Sequence, residues 1–520
     1  MKVVYLKNFR RGLATNSSST HSLIYRNEGE LFKDLDIFEL DYYDRYTKTI
    51  AASREAKIKY VLTQIMYNEG LVKIMSAIYP EMEQYFPKIK IEMEKEDDTF
   101  GSYCRGGLEI EDNIEASVDY LRKIIDDPDI IIIGGSDEDE FVYETESGHE
   151  QMTNSDQYGR YSKFGMWKNG NYWVGFGSTD DHIVVRDDDA CEDNEYINPT
   201  RHCFGGKIRF TTNKDVSLVP EYPELIDLRI TNQCDHGCKF CFMDSNMKEK
   251  HANLNFLYSV IAACSSDHQR KVEFSIGGGN ILLYPHLEKL FRYIHERGHI
   301  LNVTINALDC KKVLEEPFKD IFVNYVDGIG VSVTNIEDAK LLVDFESKYR
   351  EIKNYDAYIV AHIIPEYIGI EMTHKINDYF IESKSYIPSL YLGYKTNGRG
   401  ASQNYKCFTE KDLNDLFKKF HFVSIDTTFS NRYFWWIKNN FSYKKTITMN
   451  EGEFSMYIDG VTENAYKSSY QLDKPYNMHV DYGNYSKKCY SLKDAFSNIR
   501  KDSGFHTYES SVKHYWDFHQ

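Results

Sequence analysis

The chain has 520 residues, 42% hydrophobic and 15% aromatic, and carries 80 acidic against 62 basic side chains for a formal net charge of −18. Its length exceeds one ordinary domain and its apolar content suffices for packed cores, so two or three domains are expected and a linker-dominated or disordered chain is excluded. The acidic balance argues against an extended nucleic-acid footprint, which draws on lysines and arginines. No run of 18 apolar residues and no signal peptide is visible, so no membrane segment is expected and a cytoplasmic location is inferred. The acidic runs at 137–140 and 187–189 read as solvated loops.

Residues 1–215 are expected to form an α+β accessory domain. Thr15-Asn-Ser-Ser-Ser-Thr-His-Ser22 has the composition of an anion-binding turn, with Arg10 and Arg11 near, and equally that of an ordinary turn or helix cap. Helical periodicity covers 51–67, 71–85 and 113–126, the last leading into an apolar run at 130–133. Aromatic and polar residues alternate over 165–177 around Asn169-Gly170, which predicts a β-hairpin. The stretch 206–223 reads as a strand and linker feeding the next domain.

From 216 to 420, β-rich runs alternate with amphipathic ones. Strands are predicted at 225–230, 271–276, 301–305, 328–334, 357–364 and 389–393, and helices at 254–265, 286–297, 337–350 and 368–383. That alternation predicts an α/β fold, a partial (β/α)6 parallel barrel whose chemistry gathers at the C-terminal ends of its strands.

Directly after the first predicted strand stand Cys234, Cys238 and Cys241, a C-x3-C-x2-C triad on one tight loop. Soft thiolates at this spacing suit an iron–sulfur cluster, and three in place of four leave one iron with an open position. A structural zinc knuckle that adds His236 is the alternative, although zinc sites usually bring a distant second ligand pair and none is visible. The second strand runs into Gly277-Gly278-Gly279-Asn280; glycines there let backbone approach a ligand closely. Lys395 and Arg399, in the glycine-punctuated loop after the sixth strand, read either as a clamp for a carboxylate or phosphate or as a solvated turn.

The triad, with Phe240 before its third cysteine, resembles the signature of the radical S-adenosylmethionine (radical SAM) superfamily. The resemblance implies a [4Fe–4S] cluster on Cys234, Cys238 and Cys241, with SAM on the open iron and Phe240 packing near its adenine. It implies that Gly277, Gly278, Gly279 and Asn280 seat the methionine part of SAM, although the family commonly has a glutamate where this chain has Asn280. Asn306 and Ser332, at the ends of the third and fourth strands, would help position ribose or carboxylate; His362, near the end of the fifth, reads rather as a locally satisfied polar residue. An electron donor such as flavodoxin or ferredoxin would be the partner.

Residues 421–520 are expected to be a small C-terminal extension. The stretch 451–459 resembles the strand that precedes auxiliary-cluster cysteines in peptide-modifying members, but 465–469 holds no cysteine, and only Cys407 and Cys489 follow the barrel. One cluster is therefore expected, and a peptide or protein is the first substrate class. A small metabolite or nucleotide as substrate, and a metal-stabilised binding module without catalysis, remain the alternatives. No catalytic residue is assigned.

Overall fold

The computed structural model describes residues 217–505 except 265–269, 354–357, 386, 419–422, 442–449 and 479–489. Before them it describes 2–11, 21–23, 37–38, 49–51, 53–65, 68–94, 114–128, 130–134, 165–177 and 206–211. The acidic runs at 137–140 and 187–189, residues 15–20, Cys104, Cys191, Cys203 and Cys489 lie outside the described residues.

The N-terminal part is a seven-stranded sheet built from β1 (Lys2–Arg11), β3 (Ile37–Phe38), β4 (Thr49–Ala51), β5 (Ile130–Gly134), β6 (Gly165–Asn169), β7 (Tyr172–Gly177) and β8 (Gly206–Thr211). Its order is β3-β4-β5-β1-β8-β7-β6. The predicted hairpin is β6–β7, turning at Gly170 with φ of 66°, a left-handed conformation that glycine adopts without a Cβ penalty. The helix expected at 71–85 is two, Glu69–Ile78 and Glu81–Glu94. The break falls at Tyr79-Pro80, because proline lacks an N–H and pushes the preceding residue out of helical conformation; Tyr79 sits at φ −121°, ψ 83°.

The second sheet has eleven strands. Six parallel strands form its centre: β9 (Leu225–Thr231), β10 (Glu273–Gly278), β11 (Ile300–Asn306), β12 (Gly328–Ser332), β13 (Tyr358–Ile363) and β14 (Ser389–Tyr391). These are the six strands predicted from the sequence. Two further strands extend the parallel set, β15 (Val423–Asp426) beside β14 and β16 (Ser455–Asp459) beside β9. The 451–459 stretch, expected in an extension, thus supplies a barrel strand, followed by the antiparallel β17 (Asn464–Tyr466) and β18 (Tyr476–Asn477). At the opposite edge β2 (His21–Leu23) pairs antiparallel with β15, and His21 stands opposite Asp426.

Along each strand side chains alternate between two faces. Ile226, Leu228, Ile230, Phe274, Ile276, Val303 and Val331 pack outward in one core with helix residues such as Leu257, Phe291, Phe322, Leu342 and Phe380. Their neighbours Asp227, Arg229, Ser275, Asn302, Asn306, Ser332 and His362 therefore turn to the barrel interior. The surrounding helices start on side chains that satisfy their orphan N–H groups. Asn335 accepts from Glu337 and Asp338 N, and Asp426 from Phe429 N.

The β6–β7 hairpin packs at the base of the barrel, where Trp167, Tyr172 and Val174 meet Ile300, Phe454 and Tyr358, the last three lying at or just before strand starts. Glu224, immediately before β9, is fully buried there and is held by Lys207 at 2.9 Å and Arg209 at 2.8 Å from β8. Burial alone would raise the Glu224 pKa; the two cations outweigh it and hold it down at about 2. Among the described residues no helix is long and apolar enough to cross a membrane.

Candidate functional site: a cysteine loop at the barrel mouth

The loop that leaves β9 is closed at its base by backbone bonds, Asn232 N to Lys250 O at 2.9 Å and Cys234 N to Asn246 O at 3.3 Å. Within it Cys241 N donates to Cys238 O at 3.3 Å, and Gly237 takes φ of 65°. Cys234, Cys238 and Cys241 are all half-buried and unpaired by disulfides. Burial pushes the Cys234 thiol up, and pushes Cys238 up to about 11 with the other two cysteines adding to the effect. The three sulfurs thus share one neighbourhood, and a bound cation is what brings such thiols to the thiolate state.

Asn306, the last residue of β11, directs Nδ2 to the Cys238 sulfur at 3.8 Å, while its Oδ1 accepts from Leu308 N at 3.0 Å. In register across the neighbouring strands, Asn306 pairs with Ser332 and Ser332 with His362. Three of the predicted polar positions therefore form one row at the strand ends. His362 is buried, and burial followed by Lys395 depresses its pKa to about 3, so its imidazole is neutral. The Phe240 ring lies 5.0 Å from that of Tyr367.

The glycine run touches the cysteine loop itself. Gly279 N donates to Thr231 O and Asn280 N to Gln233 O, both at 2.8 Å. A Cβ on Gly278, at φ of 127°, would stand 2.1 Å from Thr231 O, and one on Gly279 2.0 Å from Gln233 O. The glycines at these two positions let strand end and cysteine loop lie against each other. Asn280 is buried in the same junction. Its Oδ1 caps the following turn through Leu282 N at 3.0 Å, and its Nδ2 donates to Asp235 Oδ1 at 2.9 Å and lies 3.2 Å from His236 Nε2.

His236 Nε2 lies 2.6 Å from Asp309 Oδ2, and that hydrogen bond raises the imidazole pKa. A zinc knuckle needs four ligand atoms within about 2.3 Å of one point. Among the described residues no group of three His, Cys, Asp or Glu side chains is already arranged to hold a metal ion, the three cysteines included. The donor set is three soft sulfurs on one loop, of the kind that suits an iron–sulfur cluster, with an amide donor at Cys238 and a buried guanidinium nitrogen, Arg399 Nη2, that has no hydrogen-bond partner among the described residues.

Sequence reasoning misplaced the loop after β14. Arg399 is neither a solvated turn residue nor a free anion clamp; its Nε donates to Cys238 O at 3.0 Å and its Nη1 to Asp244 Oδ1 and Ser245 O at 2.9 and 2.8 Å. Lys395 is half-buried, with its ammonium 4.3 Å from the Phe242 ring centroid and 5.0 Å from that of Tyr470. The interior carboxylates of Asp227 and Glu451, both raised to about 7 chiefly by burial, feel its charge. Neither acid was singled out in the sequence; a charged residue inside the apolar run of β9 was the available signal for Asp227.

A parallel α/β barrel with a three-cysteine loop at the end of its first central strand is the class that fold and site define. Residues 228–361 match the family described as the radical SAM superfamily. A match to that family implies a [4Fe–4S] cluster and SAM as cofactors. No curated protein matches the chain. Among solved structures it is similar to Streptococcus suis SuiB bound to the precursor peptide SuiA, at 15% identity and a TM-score of 0.36, over 48% of this chain and 60% of that one. It is also similar to anSMEcpe with bound AdoMet and the Cp18Cys peptide, at 15% identity and a TM-score of 0.32, over 48% and 75% of the two chains. Methylornithine synthase (PylB) matches at 10% identity and a TM-score of 0.30, over 55% and 84%. The chain thus spans three fifths of SuiB's length.

Proposed function

We propose that this protein is a radical SAM enzyme in which Cys234, Cys238 and Cys241 hold a [4Fe–4S] cluster. Bound there, cluster and SAM supply a one-electron reductive cleavage to methionine and a 5′-deoxyadenosyl radical, which takes a hydrogen atom from the substrate. The observation that carries this reading is the arrangement of the three thiols on one loop over the strand ends, with the Asn306 amide at the Cys238 sulfur. Asn306 stabilises that thiolate by donating a hydrogen bond. Gly278 and Gly279 hold the loop at its distance from β10. Ser332, in register with Asn306, offers its hydroxyl to the ribose or carboxylate of SAM, and Phe240, tilted at 52° against Tyr367, offers a face to adenine.

Asn280 brings no negative charge to the SAM ammonium, and one lone pair of its oxygen already caps the following turn. We assign that charge complement to the carboxylates around it, Asp235 and Asp309, which the Asn280 amide approaches at 2.9 and 3.4 Å. A peptide or protein is our substrate class, because 451–459, which forms β16, resembles the strand that precedes auxiliary-cluster cysteines in peptide-modifying members, and a flavodoxin or ferredoxin is our electron donor.

The test compares wild-type protein, purified and reconstituted without oxygen, with a Cys234→Ala, Cys238→Ala, Cys241→Ala variant. Iron and zinc are quantified, then dithionite and SAM are added and 5′-deoxyadenosine is assayed. Cluster iron and SAM cleavage in the wild type, both lost in the variant, support the reading. Zinc in place of iron, or iron without cleavage, would turn it toward a metal-stabilised binding module.

A further inference from the structure

The loop after β14 reaches the cysteine loop as a braced arm. Tyr394 is fixed through both backbone groups, its N–H donating to the buried Glu366 carboxylate and its carbonyl accepting from Arg432 Nη2 at 2.8 Å. Glu366 is in turn held by Arg432 Nη1 at 2.6 Å and by the Tyr433 hydroxyl. The Tyr394 hydroxyl donates to Gly400 O at 2.7 Å, which closes the arm on itself. Gly398 abuts the cysteine loop: at φ of 53°, a Cβ there would lie 2.6 Å from Phe242 O and 2.8 Å from Cys241 O.

Arg399 follows at the tip. Its three bonds tie the carbonyl of Cys238 to Asp244 and to the carbonyl of Ser245, two points seven residues apart on a loop with almost no regular structure. The planar fork of an arginine can hold several acceptors at once in fixed relation, which an ammonium cannot do. Asp244, the one carboxylate paired with it among the described residues, is 65% exposed, so solvent screens that neutralisation. The buried Nη2 makes no hydrogen bond among the described residues.

We propose that Arg399 is a positioning residue for the cluster-binding loop, shaping the arc of the three cysteines before metal arrives and keeping a permanent positive charge beside Cys238. The proposal rests on the reading of the three cysteines as cluster ligands. A thiolate-bound cluster gains one negative charge on reduction, so a fixed cation next to a ligand favours the reduced form and raises the potential. The preset arc shortens the search that each thiol must make and so speeds cluster insertion.

The experiment uses the full chain as wild type, Arg399→Gln and Arg399→Lys, reconstituted without oxygen. Iron and sulfide uptake are followed in time, the midpoint potential is read by EPR-monitored titration, and thermal melting of the metal-free proteins reports folding. Arg399→Gln is expected to take up iron several-fold more slowly and to give a more negative midpoint. Arg399→Lys, which guards against a glutamine variant that fails to fold, is expected to return the potential toward wild type but not the uptake rate. Wild-type uptake and potential in both variants would overturn the proposal alone. A wild-type protein that takes up no iron would sink the cluster reading, and the proposal with it.

Discussion

Asn306 and Cys238 are 68 residues apart in the chain and meet at the barrel mouth, amide Nδ2 to sulfur at 3.8 Å. The contact is imposed by the turn after β11, because the Asn306 oxygen must cap Leu308 N and so faces its NH2 group toward the cysteine loop. A hydrogen bond to a charged group contributes about 1.5–3 kcal/mol. Asn306→Ala is therefore expected to fold and bind iron yet cleave SAM about tenfold more slowly. Asn306→Asp, which sets a carboxylate against a thiolate, should do worse. Parallel assays of iron content and 5′-deoxyadenosine with dithionite check this; unchanged rates in both variants would leave the contact without a role.

Gly279 and Gly237 should respond to a methyl group to very different degrees. A Cβ on Gly279 would meet Gln233 O at 2.0 Å, and that atom is backbone, so strand end and cysteine loop must part. Gly237 has nothing within 4 Å of its would-be Cβ and pays only for its φ of 65°, roughly 1–2 kcal/mol. Gly279→Ala is expected to lower the melting temperature markedly and to abolish iron retention, whereas Gly237→Ala should retain the cluster at a modest loss of stability. Iron per chain together with a melting curve separates the two.

The six central strands were legible because each is a short apolar run bounded by turn residues, and the triad because cysteine spacing is local. β15 and β16 were not assigned to the barrel, since a strand's neighbours are set by long-range pairing that its own residues do not encode. Arg399 was misread for the same reason. An arginine between two glycines looks like an exposed turn until a second loop, over 150 residues away, is laid against it. Asn280 shows the converse, for its departure from the family glutamate was visible at once, while the neighbours that occupy its amide, Asp235 and Asp309, came together only in the fold.

The barrel interior should make the protein sensitive to pH. The Asp227 oxygens are buried and form no hydrogen bond, and burial lifts the carboxyl to about 7, opposed by Lys395 and reinforced by Glu451. Glu451 also stands at about 7, in spite of the hydroxyls of Thr427 and Tyr470. Tyr457 pairs with Asp227 across β16 and β9, and Arg229 beside them is engaged by Asp459 at 2.8 Å. In the unfolded chain both carboxyls titrate near 4. The fold therefore binds more protons between about pH 4 and 7, and stability falls as pH rises through that window, levelling off above it. Asp227→Asn is expected to melt close to wild type at pH 5 and a few degrees higher at pH 8. A variant less stable than wild type at pH 8 would mean that the ionised carboxylate is needed as a counterion for Lys395.

At the other end of the barrel, Glu224 offers a way to separate stability from chemistry. Its carboxylate is buried with Lys207, Arg209 and the Tyr172 hydroxyl, and it joins the first central strand to the N-terminal sheet. Removing one partner from a buried ion cluster leaves uncompensated charge and costs about 3–5 kcal/mol. Glu224→Gln leaves two buried cations facing an amide, so denaturant unfolding should split into separate transitions for the sheet and the barrel. The cysteine loop stands at the opposite strand ends, beyond the whole length of β9. Reductive SAM cleavage at low temperature should therefore stay within about twofold of wild type. Cleavage lost in step with stability would instead mean that the base of the barrel sets the geometry of its mouth, and that the N-terminal sheet takes part in catalysis through the strands it holds.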